Sequence, residues 1–212
     1  MKLKHSFPFY LKLASYFYPI TIERSHEPYY LELVLSKNKL ILNSTNANQS
    51  NEGLKQAFHQ VFHQLGVYDK KYRNVLVIGF GLGSVVELLQ AKNCMEKVTA
   101  YENNPQVLTW LDKYYDLGNI QLHTDSAENL AHLVSNYNLI LVDLFLDNQC
   151  PDFLNNLAYW TQLKTHLSPS GMLIWNTLIP TQPKVSFNME DVFDRKVEVE
   201  GVNRMWVRNT LI

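Results

Sequence analysis

With 212 residues, 46% of them hydrophobic, the chain has the length for one α/β domain plus a small appendage and the material for a sizeable core. A formal net charge of −1 excludes a broad basic footprint for nucleic acid, so the expected ligand is small. Two cysteines, Cys94 and Cys150, are too few for a disulfide framework or a thiolate zinc site, which fits a reducing cytoplasm, and no run approaches the roughly 20 apolar residues of a membrane span.

Met1 to Ile22 is basic and aromatic like a signal peptide, but Lys12, Ser15 and Pro19 interrupt it and no small-residue cleavage site follows. It reads as part of the fold. Tyr29 to Ser44 alternates as a β-hairpin, with Leu31, Leu33 and Leu35 on one arm, Leu40 and Leu42 on the other, and Ser36-Lys37-Asn38 between them. A polar stretch from Asn43 to Asn51 leads to a helix in which Leu54, Ala57, Phe58, Val61, Phe62 and Leu65 keep the 3.6-residue period until Gly66. Strands are then expected at Asn74 to Ile78, Lys97 to Tyr101, Ile120 to Thr124, Leu139 to Val142 and Met172 to Asn176. Helices beginning near Gly83, Pro105, Ser126 and Phe153 alternate with them, as a parallel sheet with crossovers requires. Arg195 to Glu200, a Gly201-Val202-Asn203 turn and Arg204 to Ile212 form a closing antiparallel hairpin. The expected fold is therefore α/β: a doubly wound, Rossmann-like, mostly parallel sheet (residues 53–212) with a C-terminal antiparallel hairpin, preceded by a small β-hairpin appendage (residues 1–52).

The segment from Asn74 to Val86 is the most informative. Val75 to Ile78 is an apolar run suited to a central parallel strand, and Gly79-Phe80-Gly81-Leu82-Gly83 lets backbone N–H groups approach a ligand. The spacing departs from G-x-G-x-x-G/A, because Ser84 stands at the sixth position. Glu102 ends the second strand about 20 residues on, where a carboxylate accepts hydrogen bonds from ribose hydroxyls. Asp125 ends the third strand and Asp143 the fourth. Each has a structural alternative: a tight βα connection for the glycines, a helix cap for Asp125, a solvated loop for Asp143. Together they line the crevice where open α/β sheets bind ligands, which favours a nucleotide cofactor. A nicotinamide fits Gly79, Gly81 and Glu102 too, but Asp125, the terminal hairpin and the lack of a second, substrate-binding domain argue against it.

Val75 to Val86, Val98-Thr99-Ala100-Tyr101-Glu102, His123-Thr124-Asp125-Ser126-Ala127 and Ile140-Leu141-Val142-Asp143 resemble the successive motifs of class I S-adenosylmethionine-dependent methyltransferases, and within them the polyamine aminopropyltransferase (spermidine synthase) branch. The resemblance spans Tyr29 to Thr177. It implies S-adenosylmethionine or its decarboxylated form as cofactor, with Gly79 and Gly81 at its amino-acid end, Glu102 at its ribose, Asp125 at the adenine amino group with the Ser126 backbone alongside, and Gly83 and Asn103 also among the cofactor-binding residues. Asp143 falls where aminopropyltransferases place the acid that takes a proton from the attacking amine. A homodimer is implied in the same way.

Three positions depart from that branch. Leu82 replaces an acid that meets the amine of the decarboxylated cofactor, and Asp147, followed by Asn148, comes one residue later than the branch's second acid. Asn43 stands roughly where a glutamine is usual. These changes remove the groups that grip a polycationic acceptor and leave the nucleoside contacts intact. The first expectation is a transferase, most simply a methyltransferase, acting on a small-molecule acceptor, amines included, without nucleic-acid or membrane partners. Aminopropyl transfer is the second, and a catalytically silent scaffold the third. His59 and His63 share a helix face but lack a third ligand and are expected on its polar side, so no metal is expected. Tyr159, Trp160 and Trp175 are expected mostly in the core, and Ser135, Ser168 and Ser170 lack a nucleophile context.

Overall fold

In the computed structural model, which describes residues 1–27, 30–45, 52–130, 133, 136–145, 149–180, 184–199 and 203–209, the chain begins with β1 (Lys2–Leu3) and α1 (Phe9–Ala14). Strands β2 (Ile20–Ser25), β3 (Leu31–Ser36) and β4 (Lys39–Ser44) follow as an antiparallel sheet in that order. β3 and β4 are the expected hairpin, with Lys37 and Asn38 at φ of 47° and 61° in a tight turn matched to strand twist. β2 was not expected. Its register against β3 shifts between Thr21 and Glu23, and such an irregularity breaks the period-two alternation by which a strand is read.

Helix α2 (Glu52–Gln64) gives way to a left-handed Gly66 at φ 64°, and β5 (Tyr72–Ile78), α3 (Ser84–Ala91), β6 (Met95–Tyr101), α4 (Pro105–Tyr114), β7 (Tyr115–Asp116), β8 (Ile120–His123) and β9 (Tyr137–Val142) follow. Asn104 starts α4 because its Oδ1 accepts the backbone N–H groups of Gln106 (2.9 Å) and Val107 (3.1 Å), with Pro105 pre-set in the first turn. The helix expected from Ser126 does not form among the described residues: the Ser126 hydroxyl accepts the Glu128 N–H and its carbonyl the Asn129 N–H, which closes a turn. The helix expected near Phe153 is α5 (Leu157–Thr165), delayed by a 3-10 turn at Asp152–Asn155. β10 (Leu167–Leu178), β11 (Arg195–Glu198) and β12 (Asn203–Asn209) complete the chain; Gly201 and Val202 of the expected turn lie outside the described residues.

The main sheet has the order β11-β12-β10-β9-β5-β6-β8, parallel from β8 to β10, with β12 antiparallel to both neighbours. From β5 the chain winds outward through β6 to β8, then returns to β9 on the other side of β5. The order therefore reverses between β5 and β9, and ligands bind beyond the strand ends at such a point. β5 alternates between two cores, Val75 and Val77 in one with α2 to α4, Leu76 and Ile78 in the other with Trp160, Trp175 and Phe193. The first core also contains Leu31, Leu33, Leu35, Leu40 and Leu42, so apolar packing continues into the N-terminal sheet.

Glu23 on β2 ties that sheet to α4. It accepts from Trp110 Nε1 (3.0 Å), Lys113 Nζ (2.7 Å) and the Tyr114 hydroxyl. Burial pulls its carboxyl upward, but hydrogen bonds from Lys113, Tyr114 and Trp110 outweigh that and hold it below its ordinary value.

Candidate functional site

The glycine turn leaves β5 directly against the start of the loop after β9. Gly79 has φ 86°, and a Cβ there would stand 2.2 Å from the Asp143 carbonyl oxygen, so only glycine allows the two strand ends to meet. Gly81, at φ 53°, has nothing within 4 Å of that position and faces open space. Gly83 is walled off, since the Met1 thioether and the Phe80 ring fill the space beside it. Of the three expected cofactor glycines, Gly81 is the one that offers a cradle.

Glu102 closes the turn from the side. Its Oε2 accepts the Gly81 N–H and its Oε1 the Asn104 N–H, both at 2.9 Å, and the Asn103 N–H contributes a third bond. Burial raises its carboxyl above the ordinary value although these three N–H groups oppose the shift. The side chain is thus a fixed brace between two loops. Each carboxylate oxygen has a second acceptor site, so the same group can still take ribose hydroxyls. Asn103 is exposed beside it, and Asp125 and Ser126 lie half-buried beyond β8, where burial first and the Asp125 charge second raise the Tyr101 phenol. The site residues from the ends of β5, β6 and β8 therefore share one rim, with Asp143 beyond β9. An open cradle at a left-handed glycine, flanked by a carboxylate at the next strand end, fits a nucleoside with an amino-acid tail.

Asp143 differs in how it is held. Burial pushes its carboxyl up to about 6 against the pull of Asn176, whose Nδ2 donates to Asp143 Oδ1 at 2.8 Å. Asn176 on β10 is fully buried and accepts from Asn203 Nδ2 on β12 at 2.9 Å. Because the carboxylate requires a donor, these two bonds fix both amide orientations. Asp143 Oδ1 is consequently held as an acceptor, which leaves Oδ2 as the oxygen that can carry a proton. Sequence reasoning missed Asn176 and Asn203 as site residues; the available signal was a polar residue ending the apolar run Met172 to Trp175.

Leu82 is 2% exposed and packs in the first core, so this position presents no polar group to the cradle. Asp147 and Asn148 lie outside the described residues, as does Ser135. Asn43 lies on β4, opposite Glu32 of β3. Trp160, Trp175 and Tyr159 are buried in the second core, with Trp160 Nε1 donating to the Leu154 carbonyl at 2.8 Å. His59 Nδ1 shares a 2.9 Å hydrogen bond with the Tyr68 hydroxyl. Among the described residues there is no group of three or more His, Cys, Asp or Glu that could hold a metal ion.

No family model matches the chain. Its architecture is the fold shared by spermidine synthases and class I S-adenosylmethionine-dependent methyltransferases, with a small antiparallel sheet in front. Spermidine synthase from Thermotoga maritima superposes with a TM-score of 0.65 at 12% identity, covering 90% of this chain and 72% of that one. Human methyltransferase-like protein 13, in complex with SAH, superposes with a TM-score of 0.54 at 18% identity over 74% of this chain and 78% of that one. Among curated proteins, a probable polyamine aminopropyl transferase of Bifidobacterium longum (strain NCC 2705) is 24% identical over 117 residues, 54% of this chain. The match spans about a quarter of that relative, 26% of its length.

Proposed function

We propose that the chain is an S-adenosylmethionine-dependent transferase acting on a small-molecule nucleophile, most simply a methyltransferase, with Asp143 as general base. The observation that carries this reading is the open cradle at Gly81 braced by Glu102, one strand away from a carboxylate whose affinity for protons is raised. Glu102 and Asn103 would hold the ribose, Asp125 and Ser126 the adenine, and Gly79 and Gly81 the amino-acid end. When bound, the cofactor supplies an electrophilic carbon on a sulfonium, so little activation is needed beyond a deprotonated, in-line nucleophile.

The chain's own contribution is to orient that nucleophile and take its proton. Asp143 Oδ2 receives the proton while Asn176 keeps Oδ1 engaged, and the buried setting makes the carboxylate a stronger base than one in water.

Aminopropyl transfer is the second reading. The overlap with spermidine synthase favours it, because that overlap covers 90% of the chain against 74% for the methyltransferase. Leu82 opposes it, since a core leucine supplies no charge for a cofactor ending in an amine. Incubation with S-adenosylmethionine or its decarboxylated form, across a panel of amines, thiols and carboxylates, tests both. Methylated product supports the first reading, and aminopropylated putrescine overturns it in favour of the second. Tight nucleoside binding with no product from any acceptor identifies a silent scaffold.

A further inference from the structure

Strand β10 ends in two polar residues that the fold encloses completely, since Asn176 and Thr177 are both 0% exposed. A buried polar group must find a partner, because one left unmet keeps the full cost of leaving water. Thr177 finds it in the backbone, its hydroxyl donating to the Arg204 carbonyl at 2.9 Å. Asn176 depends on two side chains, Asp143 on its nitrogen side (2.8 Å) and Asn203 on its oxygen side (2.9 Å).

The terminal hairpin puts Asn203 there. Antiparallel pairing sets it opposite Leu178, two residues beyond Asn176 and so on the same face of the sheet, within diagonal reach. Its backbone is fixed on both sides. The Asn203 carbonyl accepts the Val199 N–H at 3.0 Å, and the next residue, Arg204, is held by Thr177 and by its own guanidinium bond to Glu198 Oε1 at 2.7 Å.

The direction of these bonds decides what Asp143 meets. While the Asn176 oxygen faces the Asn203 donor, its nitrogen faces the carboxylate and favours the charged form. Turned over, Asn176 would set its oxygen against a carboxylate oxygen, an arrangement that only a protonated Asp143 relieves. Asn203 therefore acts on the carboxyl from two hydrogen bonds away, and a group at 203 that can only accept would favour the neutral acid.

The other groups around Asp143 leave this link undisturbed. β5 meets it with Gly79, which has no side chain, and the loop after β9 brings Cys150, whose thiol is pushed up to about 12 by burial first and the Asp143 charge second. Arg204 is engaged by Glu198 and lies over the Trp206 ring at 5.9 Å. Among the described residues no other charged group acts on the Asp143 carboxyl.

We propose that Asn203 is a positioning residue that fixes the direction of the Asn176 amide and, through it, the protonation of Asp143, so that the C-terminal hairpin serves the site as well as the fold. Its part in transfer rests on the reading of Asp143 as general base. Its action on the carboxyl does not, and is read without turnover.

The Asp143 carboxyl is titrated by carbon-13 NMR in the full chain, its signal assigned by its loss in Asp143→Asn. Asn203→Asp, whose carboxylate only accepts and adds negative charge, should raise the midpoint by more than about one pH unit. Asn203→Ala, which removes the donor without adding charge, should raise it by about half a unit. Glu198→Gln, on the same hairpin but bonded to Arg204, should leave it in place. A rise of about one unit cuts the ionised fraction at the original midpoint roughly fivefold, so transfer by Asn203→Asp should fall at least that much near pH 6 and recover as pH rises. A midpoint unmoved in both Asn203 variants, whatever their melting temperatures, gives Asn203 a structural role alone and overturns the proposal, as does an equal shift in Glu198→Gln. A shifted midpoint in a chain that transfers no group supports the link and removes the general base from the proposed function.

Discussion

The ends of β6 and β9 each present a carboxylate at the same edge of one sheet, yet they are built in different ways. Glu102 is held by backbone N–H groups from the loops on either side, so any sequence that forms those loops supplies its partners. Asp143 is held by the Asn176 side chain, which is held in turn by the Asn203 side chain. The backbone-built end is set by the fold and suits the invariant part of a reaction, the nucleoside. On the proposed function, the side-chain-built end, which depends on Asn176 and Asn203, is where acceptor and chemistry diverge.

The sharpest test of that contrast is Glu102→Ala. It leaves the part-buried Gly81 N–H and the buried Asn104 N–H without their acceptor, with a loss of about 2–4 kcal/mol in denaturant unfolding. Nucleoside binding should be lost with it. Gly79→Ala, which forces a Cβ onto the Asp143 carbonyl, should cost about 2–4 kcal/mol and disturb both ends together.

Effects at Asp143 should be smaller and of opposite sign. Its folded value of about 6 lies above the ordinary 3.8, so the folded chain holds this proton more tightly than the unfolded chain. That stabilisation is present below the ordinary value and is lost as pH rises to about 6. Asp143→Asn should therefore raise stability at neutral pH, by about 1–3 kcal/mol in thermal or urea unfolding, while abolishing turnover and sparing nucleoside affinity. Wild-type transfer should gain rate with a midpoint near pH 6, and Asn176→Ala, lacking the donor that favours the charged form, should move that midpoint up by about one unit. An unmoved midpoint would remove Asn176 from the account. Smallest in stability is Gly81→Ala, about 1 kcal/mol for a left-handed non-glycine residue with open space around it, although its effect on binding should be large.

Much of the main sheet was legible in the sequence because its strands are short apolar runs ending at glycine or a carboxylate, and those signals are local. Glu102 was singled out by its distance along the chain from the glycines, and its bonds to Gly81 and Asn104 follow from the same local geometry. What escaped depended on partners distant in sequence or on broken periodicity. β2 was hidden by its register shift, and the segment from Ser126, read as a helix start with Asp125 as a possible cap, closes a turn instead. The Asn176 to Asn203 bond joins residues 27 apart, brought together by the antiparallel pairing of β10 and β12. Leu82 was marked as a departure from sequence alone, but its place in the core required the fold.

Calorimetric titration of S-adenosylmethionine into the wild-type chain and Gly81→Ala tests the central claim most directly. Saturable binding to the wild type, and its loss in a Gly81→Ala variant whose unfolding midpoint is little changed, is the predicted result. Equal affinity in the two proteins, or no binding of either S-adenosylmethionine or its decarboxylated form to the wild type, would contradict it.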